Sequence, residues 1–199
     1  IKMCSIIGYS GKNSAAPILV KGLQKMEYRG YDSVGIATES ENKIVVKKGV
    51  GRVVEVSNAV QLDKLPGNIG IGHTRWATHG KVTEKNAHPH SSNSGKIAIV
   101  HNGIVENFEE LKSDLQNKGY EFQSETDTEV IANLIQLNLD ETSDVKQSII
   151  KTVNQIKGHY SFVAIFDDGT LAAARFHEPL IVGVGKNGNY LSSDVLGFI

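Results

Sequence analysis

Phe162-Val163-Ala164-Ile165-Phe166 contains no polar residue, and neither does Ile97-Ala98-Ile99-Val100. A strand with one face in water alternates apolar and polar side chains, so short unbroken runs like these suggest a sheet covered on both faces. The two runs extend to 161–167 and 96–101, and further β-type runs fall at 4–9, 33–38, 43–48, 69–74, 170–175, 180–184 and 189–192. Asp168-Gly169, between two of them, is a strong hairpin signal. Helical periodicity is clearest at 15–26, where Ile18, Leu19, Leu23 and Met26 share a face, and at 106–118, which stops before Gly119. It recurs at 127–139, opened by the capping box Thr126-Asp127-Thr128-Glu129, and at 144–157, which ends before Gly158. Strands hold both ends of the sequence and helices come in two batches. That order predicts an α+β fold with helices layered outside antiparallel sheets, not the strict alternation of a doubly wound sheet.

A chain of 199 residues can bury a substantial core, as one large domain or two small ones. Its formal net charge of −1 leaves no electrostatic footprint for nucleic acid or an anionic membrane, which favours a small-molecule or protein partner. No stretch is long and apolar enough for a membrane-spanning helix, and there is no signal-peptide pattern. One cysteine and no export signal point to the reducing cytoplasm. Ile1-Lys2 reads as an added remnant and Met3 as the initiator, leaving 4–199 as the domain. The apolar tail from Val195 to Ile199 reads as the boundary of a domain excised from something longer.

Two glycine patterns fail on inspection. Gly183-Val184-Gly185-Lys186-Asn187-Gly188 matches G-x-G-x-x-G, but the residues after it form a strand, so the pattern reads as a hairpin. Gly8-Tyr9-Ser10-Gly11-Lys12 has Ile6 and Asn13 where a phosphate loop needs Gly and Ser or Thr. His73, His79, His88, His90 and His101 fall in one stretch. Without cysteine or acidic residues at ligand spacing, hydrogen-bonded support of a polar pocket is a more economical reading than a metal site.

Four segments carry candidate chemistry. Cys4 follows Met3; removal of Met3 would leave a thiol and a free α-amine on one residue, a nucleophile with its own base. The alternative is a buried, inert thiol in a first strand. The strand 69–72 runs into His73-Thr74-Arg75-Trp76-Ala77-Thr78-His79-Gly80, in which Arg75 suits a bidentate grip on a carboxylate or pairs with a structural one. The strand 97–100 ends in His101-Asn102-Gly103, where a side-chain amide and an adjacent N–H offer two donors to one oxygen, or simply form a turn. Asp127 could bind an ammonium group or serve the dipole of its helix.

Together these segments resemble the class II, N-terminal-nucleophile glutamine amidotransferases, and in particular the glutaminase domain of the glucosamine-6-phosphate synthases. The resemblance rests on Glu27-Tyr28-Arg29-Gly30-Tyr31-Asp32-Ser33, on His73 to Gly80, on Asn86-Ala87-His88-Pro89-His90, on Val100-His101-Asn102-Gly103 and on Ser124-Glu125-Thr126-Asp127-Thr128-Glu129. It implies a four-layer αββα sandwich of two antiparallel sheets, the N-terminal-nucleophile hydrolase fold. Cys4 would attack the side-chain amide of L-glutamine to form a thioester, its own amine acting as base, and Asn102 with the Gly103 N–H would hold the oxyanion. Arg75 would bind the substrate α-carboxylate and Asp127 the α-ammonium. Thr78, His79 and His88 would complete the pocket, Arg29 would support the nucleophile, and Trp76 would belong to a closing loop. No cofactor or metal is implied. The implied partners are downstream sugar-isomerase domains with their fructose 6-phosphate, in a homodimer.

Two departures stand out. Ser5 occupies the place where the family usually has Gly, so a side chain there would alter how the preceding residue sits. If retained, Ile1-Lys2-Met3 makes the Cys4 nitrogen an amide and removes the proposed base. The rivals are the glutaminase half of another class II amidotransferase, such as the phosphoribosylamine-forming enzyme, and a non-catalytic glutamine-binding module.

Overall fold

The structure, a computed structural model, describes residues 3–76 and 81–198. One sheet is built from β1 (Ser5–Gly11), β2 (Ser33–Ser40), β3 (Lys43–Val50), β4 (Ile69–Arg75), β9 (Ile181–Val184) and β10 (Gly188–Ser192), in the order β3-β2-β4-β1-β10-β9. The other contains β5 (His90–Ser91), β6 (Ile97–Val105), β7 (Gly158–Phe166) and β8 (Leu171–Phe176), in that order. All pairings between these strands are antiparallel. The sequence around Asp168-Gly169 turns β7 into β8, and the G-x-G-x-x-G pattern joins β9 to β10 as a hairpin.

Three hydrophobic layers account for the stacking. Ile6, Ala37 and Ile71 of the first sheet meet Ala98, Val100, Val163 and Ile165 of the second. The outer face of the first sheet, with Ile7, Tyr9, Val34 and Ile36, is covered by α1 (Ala15–Met26) and α2 (Val53–Val60). The outer face of the second, with Ile97, Ile99, Phe162 and Phe166, is covered by α3 (Phe108–Asn117), α4 (Thr128–Thr142) and α5 (Val145–Gln155). The result is the α+β, four-layer αββα sandwich, and both unbroken apolar runs lie in strands buried on both sides, as strands between two apolar layers must. Gly70 and Gly72 on β4 lie beneath α1, where a Cβ would come within 2.8 Å of Leu19 and 3.1 Å of Leu23, so their missing side chains let the helix sit close.

Several elements differ from expectation. α2 has no clear helical signature, because Val53, Val54, Val56 and Val60 are β-branched and weak helix formers. Its start is held by Glu27 from α1's C-terminal turn, whose Oε1 accepts the Val53 N–H at 2.7 Å, and by Glu55, which accepts the Arg52 N–H. β5 is only two residues long and exists through its pairing with β6. The capping box at Thr126–Glu129 does not form. Asp127 is the N-cap residue without a side-chain cap bond, and the Glu129 carboxylate reaches back to Gln123 N, Ser124 N and Ser124 Oγ at 2.7–2.8 Å. α3 begins at Phe108, two residues later than its periodicity suggested. The tail is partly packed: Gly197 is buried against Ser192 and Met26, and the Phe198 ring lies 5.9 Å from that of Tyr190, while Val195 and Leu196 stay exposed. No helix of the described residues is long and apolar enough to cross a membrane.

Candidate active site

Strand parity brings the candidate residues together. On β4, Ile71 faces the second sheet, so His73 and Arg75 at steps of two face it as well; on β6, Val100 faces the first sheet and so does Asn102. On the edge of β1, Cys4 shares the inner face with Ile6. The thiol and the Arg, His and Asn side chains therefore meet where the gap between the sheets opens.

A cavity of about 90 Å³ occupies that opening. Its walls include Cys4, Arg75, Trp76, His88, His101, Gly103 and Asp127, with Ile104, Phe108, Glu125, Thr126 and Thr128. One water needs roughly 10–15 Å³ of such space, so the cavity has room for a small ligand or several waters. The Cys4 Sγ accepts the Trp76 N–H at 3.3 Å and its S–H donates to the Trp76 carbonyl at 3.6 Å. Asn102 Nδ2 donates to the Cys4 carbonyl at 3.2 Å, tying β6 to the cysteine. Gly103 has φ +117°, and a Cβ there would collide with the His159 carbonyl, so this position next to the cysteine requires glycine.

Arg75 donates to the Lys81 carbonyl at 3.2 Å, and Asn86 Nδ2 donates to the same carbonyl at 3.0 Å. Asn86 also exchanges two bonds with Glu125, at 3.1 and 3.0 Å, which pins the 81–91 segment to the start of α4. Asp127 Oδ2 accepts the Val105 N–H at 2.8 Å, so its carboxylate is fixed to the end of β6 beside the cavity. Arg29 donates to the Ser193 carbonyl and to Asp194, and its own carbonyl accepts the Met3 N–H. The Trp76 ring meets the Tyr31 ring edge-on at 5.9 Å. Thr78 and His79, expected in the pocket, lie outside the described residues.

The pattern of the glutamine amidotransferase domain matches residues 73–198, well over half of the chain. The chain belongs to the glutamine amidotransferase domain family. It is 49% identical over 199 residues to a glutamine–fructose-6-phosphate aminotransferase (isomerizing) of Pyrococcus horikoshii, covering 99% of this chain and 33% of that protein. It is 48% identical over 195 residues to the protein of the same name from Clostridium acetobutylicum, covering 97% and 32%. The chain thus spans about a third of the length of these relatives. Among solved structures, the glutamine phosphoribosylpyrophosphate amidotransferase of B. subtilis complexed with ADP and GMP superposes with a TM-score of 0.85 at 31% identity, over 98% of this chain and 43% of that one.

In this amidotransferase domain burial shifts the titratable groups around Cys4 in different directions. Burial pushes the Cys4 thiol up from its ordinary value; the Trp76 N–H, Arg75 and Arg29 pull it back, and Asp32 pushes it up again. Burial therefore favours the protonated thiol. Burial also draws the Arg75 guanidinium down, against Cys4, Asp32 and Asp127. His73 is pulled down to about 3, and burial likewise holds His88, His90 and His101 below the usual imidazole range. Burial thus favours the neutral imidazole at all four, and His88 and His101 line the cavity: His73 stacks on His88 with ring centroids 4.1 Å apart, His88 Nδ1 accepts the His101 backbone N–H, and His101 Nδ1 and Thr128 Oγ1 are 3.0 Å apart. Among the described residues no group of three or more His, Cys, Asp or Glu is arranged for a metal ion.

The apolar wall of Ile104 and Phe108 and the fastening pair Asn86 and Glu125 are not singled out by residue type. In the structure Gly103 and Ile104 are the exposed residues of β6, Ile104 at 60%.

Proposed function

We propose that this domain hydrolyses the side-chain amide of L-glutamine and, as the glutaminase part of a longer glutamine–fructose-6-phosphate aminotransferase (isomerizing), passes the ammonia to sugar-isomerase domains that hold fructose 6-phosphate. The supporting observation is that Cys4, Arg75, Gly103 and Asp127, taken from four separate segments, line one small cavity. Glutamine carries a carboxylate and an ammonium on one carbon; Arg75 and Asp127 complement them and leave the amide to reach the thiol. The thiol attacks the amide carbonyl, the Asn102 amide and the Gly103 N–H stabilise the oxyanion, ammonia leaves, and water cleaves the thioester to glutamate. Because burial favours the protonated Cys4 thiol, the step needs a base, and the Cys4 α-amine, with a typical pKa of about 7.7–8.0, is suited to it. Arg29 supports the chain ahead of the nucleophile, and Thr78, His79, His88 and Trp76 complete and close the pocket. The relatives at 45–49% identity favour the sugar enzyme over the phosphoribosyl enzyme, whose solved structure is 31% identical. Assembly as a cytoplasmic homodimer through the downstream domains belongs to the same proposal.

Met3 blocks the amine that this mechanism uses. A chain whose first residue is Cys4 is expected to release glutamate from glutamine and to be labelled at Cys4 by a glutamine-mimicking diazoketone. The chain retaining residues 1–3 should fall by about 10²-fold or more, the range for loss of a general base. Equal rates would refute the amine as base, and absence of labelling would favour a non-catalytic binding module.

A further inference from the structure

Two main-chain carbonyls orient a pair of side chains between the sheets. His73 Nε2 lies 3.1 Å from the His101 carbonyl and 3.0 Å from Asn102 Oδ1. A carbonyl only accepts, so Nε2 must carry the proton. The Asn102 atom facing that N–H must then be the oxygen, which places Nδ2 on the far side. The second carbonyl agrees independently: Asn102 Nδ2 donates to the Cys4 carbonyl at 3.2 Å, which only a nitrogen can do. An amide nitrogen has two hydrogens, so the bond to the Cys4 carbonyl leaves one for an oxyanion. His73 and Asn102 are buried, and among the described residues His73 Nδ1 has no partner. The ring is locked by stacking on His88, with planes 13° apart.

We propose that His73 is the positioning residue of the oxyanion site: its Nε2–H pins the Asn102 carbonyl oxygen and so holds the Asn102 N–H turned toward the cysteine end of the cavity. This inference rests on the reading of Asn102 as an oxyanion donor. A neutral imidazole is the form required, and burial, which takes His73 down to about 3, supplies it across the working pH range. If His73 were absent, the amide could rotate and present its oxygen to a developing negative charge.

The test uses chains that begin at Cys4. His73→Phe keeps a flat ring without the donor, and His73→Gln returns an N–H near the Nε2 position. His73→Phe should lower kcat for glutamate release by about 10²-fold, the range for loss of one oxyanion donor, while KM stays within about threefold. His73→Gln should recover most of the rate. Combining His73→Phe with Asn102→Ala should cost little beyond Asn102→Ala alone, because the two act through one hydrogen bond. An unchanged kcat, a KM that rises as far as kcat falls, or multiplicative losses in the double variant would each overturn the proposal. If Asn102→Ala itself leaves kcat unaltered, the oxyanion reading fails and the proposal with it. Should His73→Phe not fold, long-range ¹H–¹⁵N NMR of the unaltered chain at pH 7 decides: a neutral Nε2–H tautomer is expected, and an Nδ1–H tautomer refutes the assignment.

Discussion

Asp127 combines a structural bond with a proposed charge, and substitution separates them. Its Oδ2 accepts the Val105 N–H, a bond that an Asn oxygen could also accept. Asp127→Asn should therefore leave the melting temperature nearly unchanged while raising KM for glutamine by about 10- to 100-fold, the cost of a lost charge-assisted contact of roughly 1.5–3 kcal/mol. Asp127→Ala removes the acceptor as well and should destabilise the domain by about 1–3 kcal/mol in denaturant melts. An Asn variant with unaltered KM would show that the charge takes no part in binding glutamine. Ser5, expected to alter how Cys4 sits, has a hydrogen bond of its own. Cys4 and Ser5 point to opposite faces of the sheet, and the Ser5 hydroxyl donates to the Met26 carbonyl at 3.3 Å, at the end of α1. Ser5 is fully buried on that side, and its side chain is not among the residues lining the cavity.

Glu129 shows how an element can begin where its local signals do not place it. The Thr126–Glu129 pattern is that of a capping box, yet the carboxylate is drawn past the N-cap to three donors at 123 and 124, and Thr126 Oγ1 lies between Ser124 Oγ and His90 Nε2. The helix start is thus welded to the segment that carries the cavity wall. Glu129→Ala should cost about 3 kcal/mol and lower the melting temperature by roughly 6–12 °C, because buried donors lose a charged acceptor. A fall of only a degree or two would mean that the 123–124 amides find other partners. Within β6, where Gly103 pairs with Tyr160 of β7, Gly103→Ala should be worse. The backbone there is left-handed and the added methyl meets the His159 carbonyl across the β6–β7 pair, so we expect loss of folded protein or of glutaminase activity together.

On the scale of the whole molecule, the four neutral histidines make the sandwich sensitive to acid. Each has its folded pKa depressed, so the unfolded chain binds more protons below pH 6.5 and stability must fall as pH drops through that range. For His73, taken from 6.5 to about 3, the penalty begins near pH 6.5, reaches about 2 kcal/mol by pH 5 and is complete only near pH 3. The other three act in the same direction, so melting temperatures should drop steeply between pH 6.5 and 5, and His73→Gln should make that drop shallower. A flat profile over this interval would show that the imidazoles are not held neutral. The amino-acid order was enough for most of the layers: the apolar runs at 97–100 and 162–166 became strands buried on both faces and the α1 stripe from Ile18 to Met26 an outer helix, because periodicity reports which faces leave water, whereas the equally apolar Ile181–Val184 became an exposed edge strand. Arg75, Asn102-Gly103 and Asp127 were legible as candidates because each residue type suggests its own chemistry. Periodicity does not report what lies opposite a face. The pairing of His73 with Asn102, the start of α2 on Glu27 and the reach of Glu129 depend on bonds between segments, and those contacts exist only once the sheets have stacked and brought distant residues within hydrogen-bonding reach.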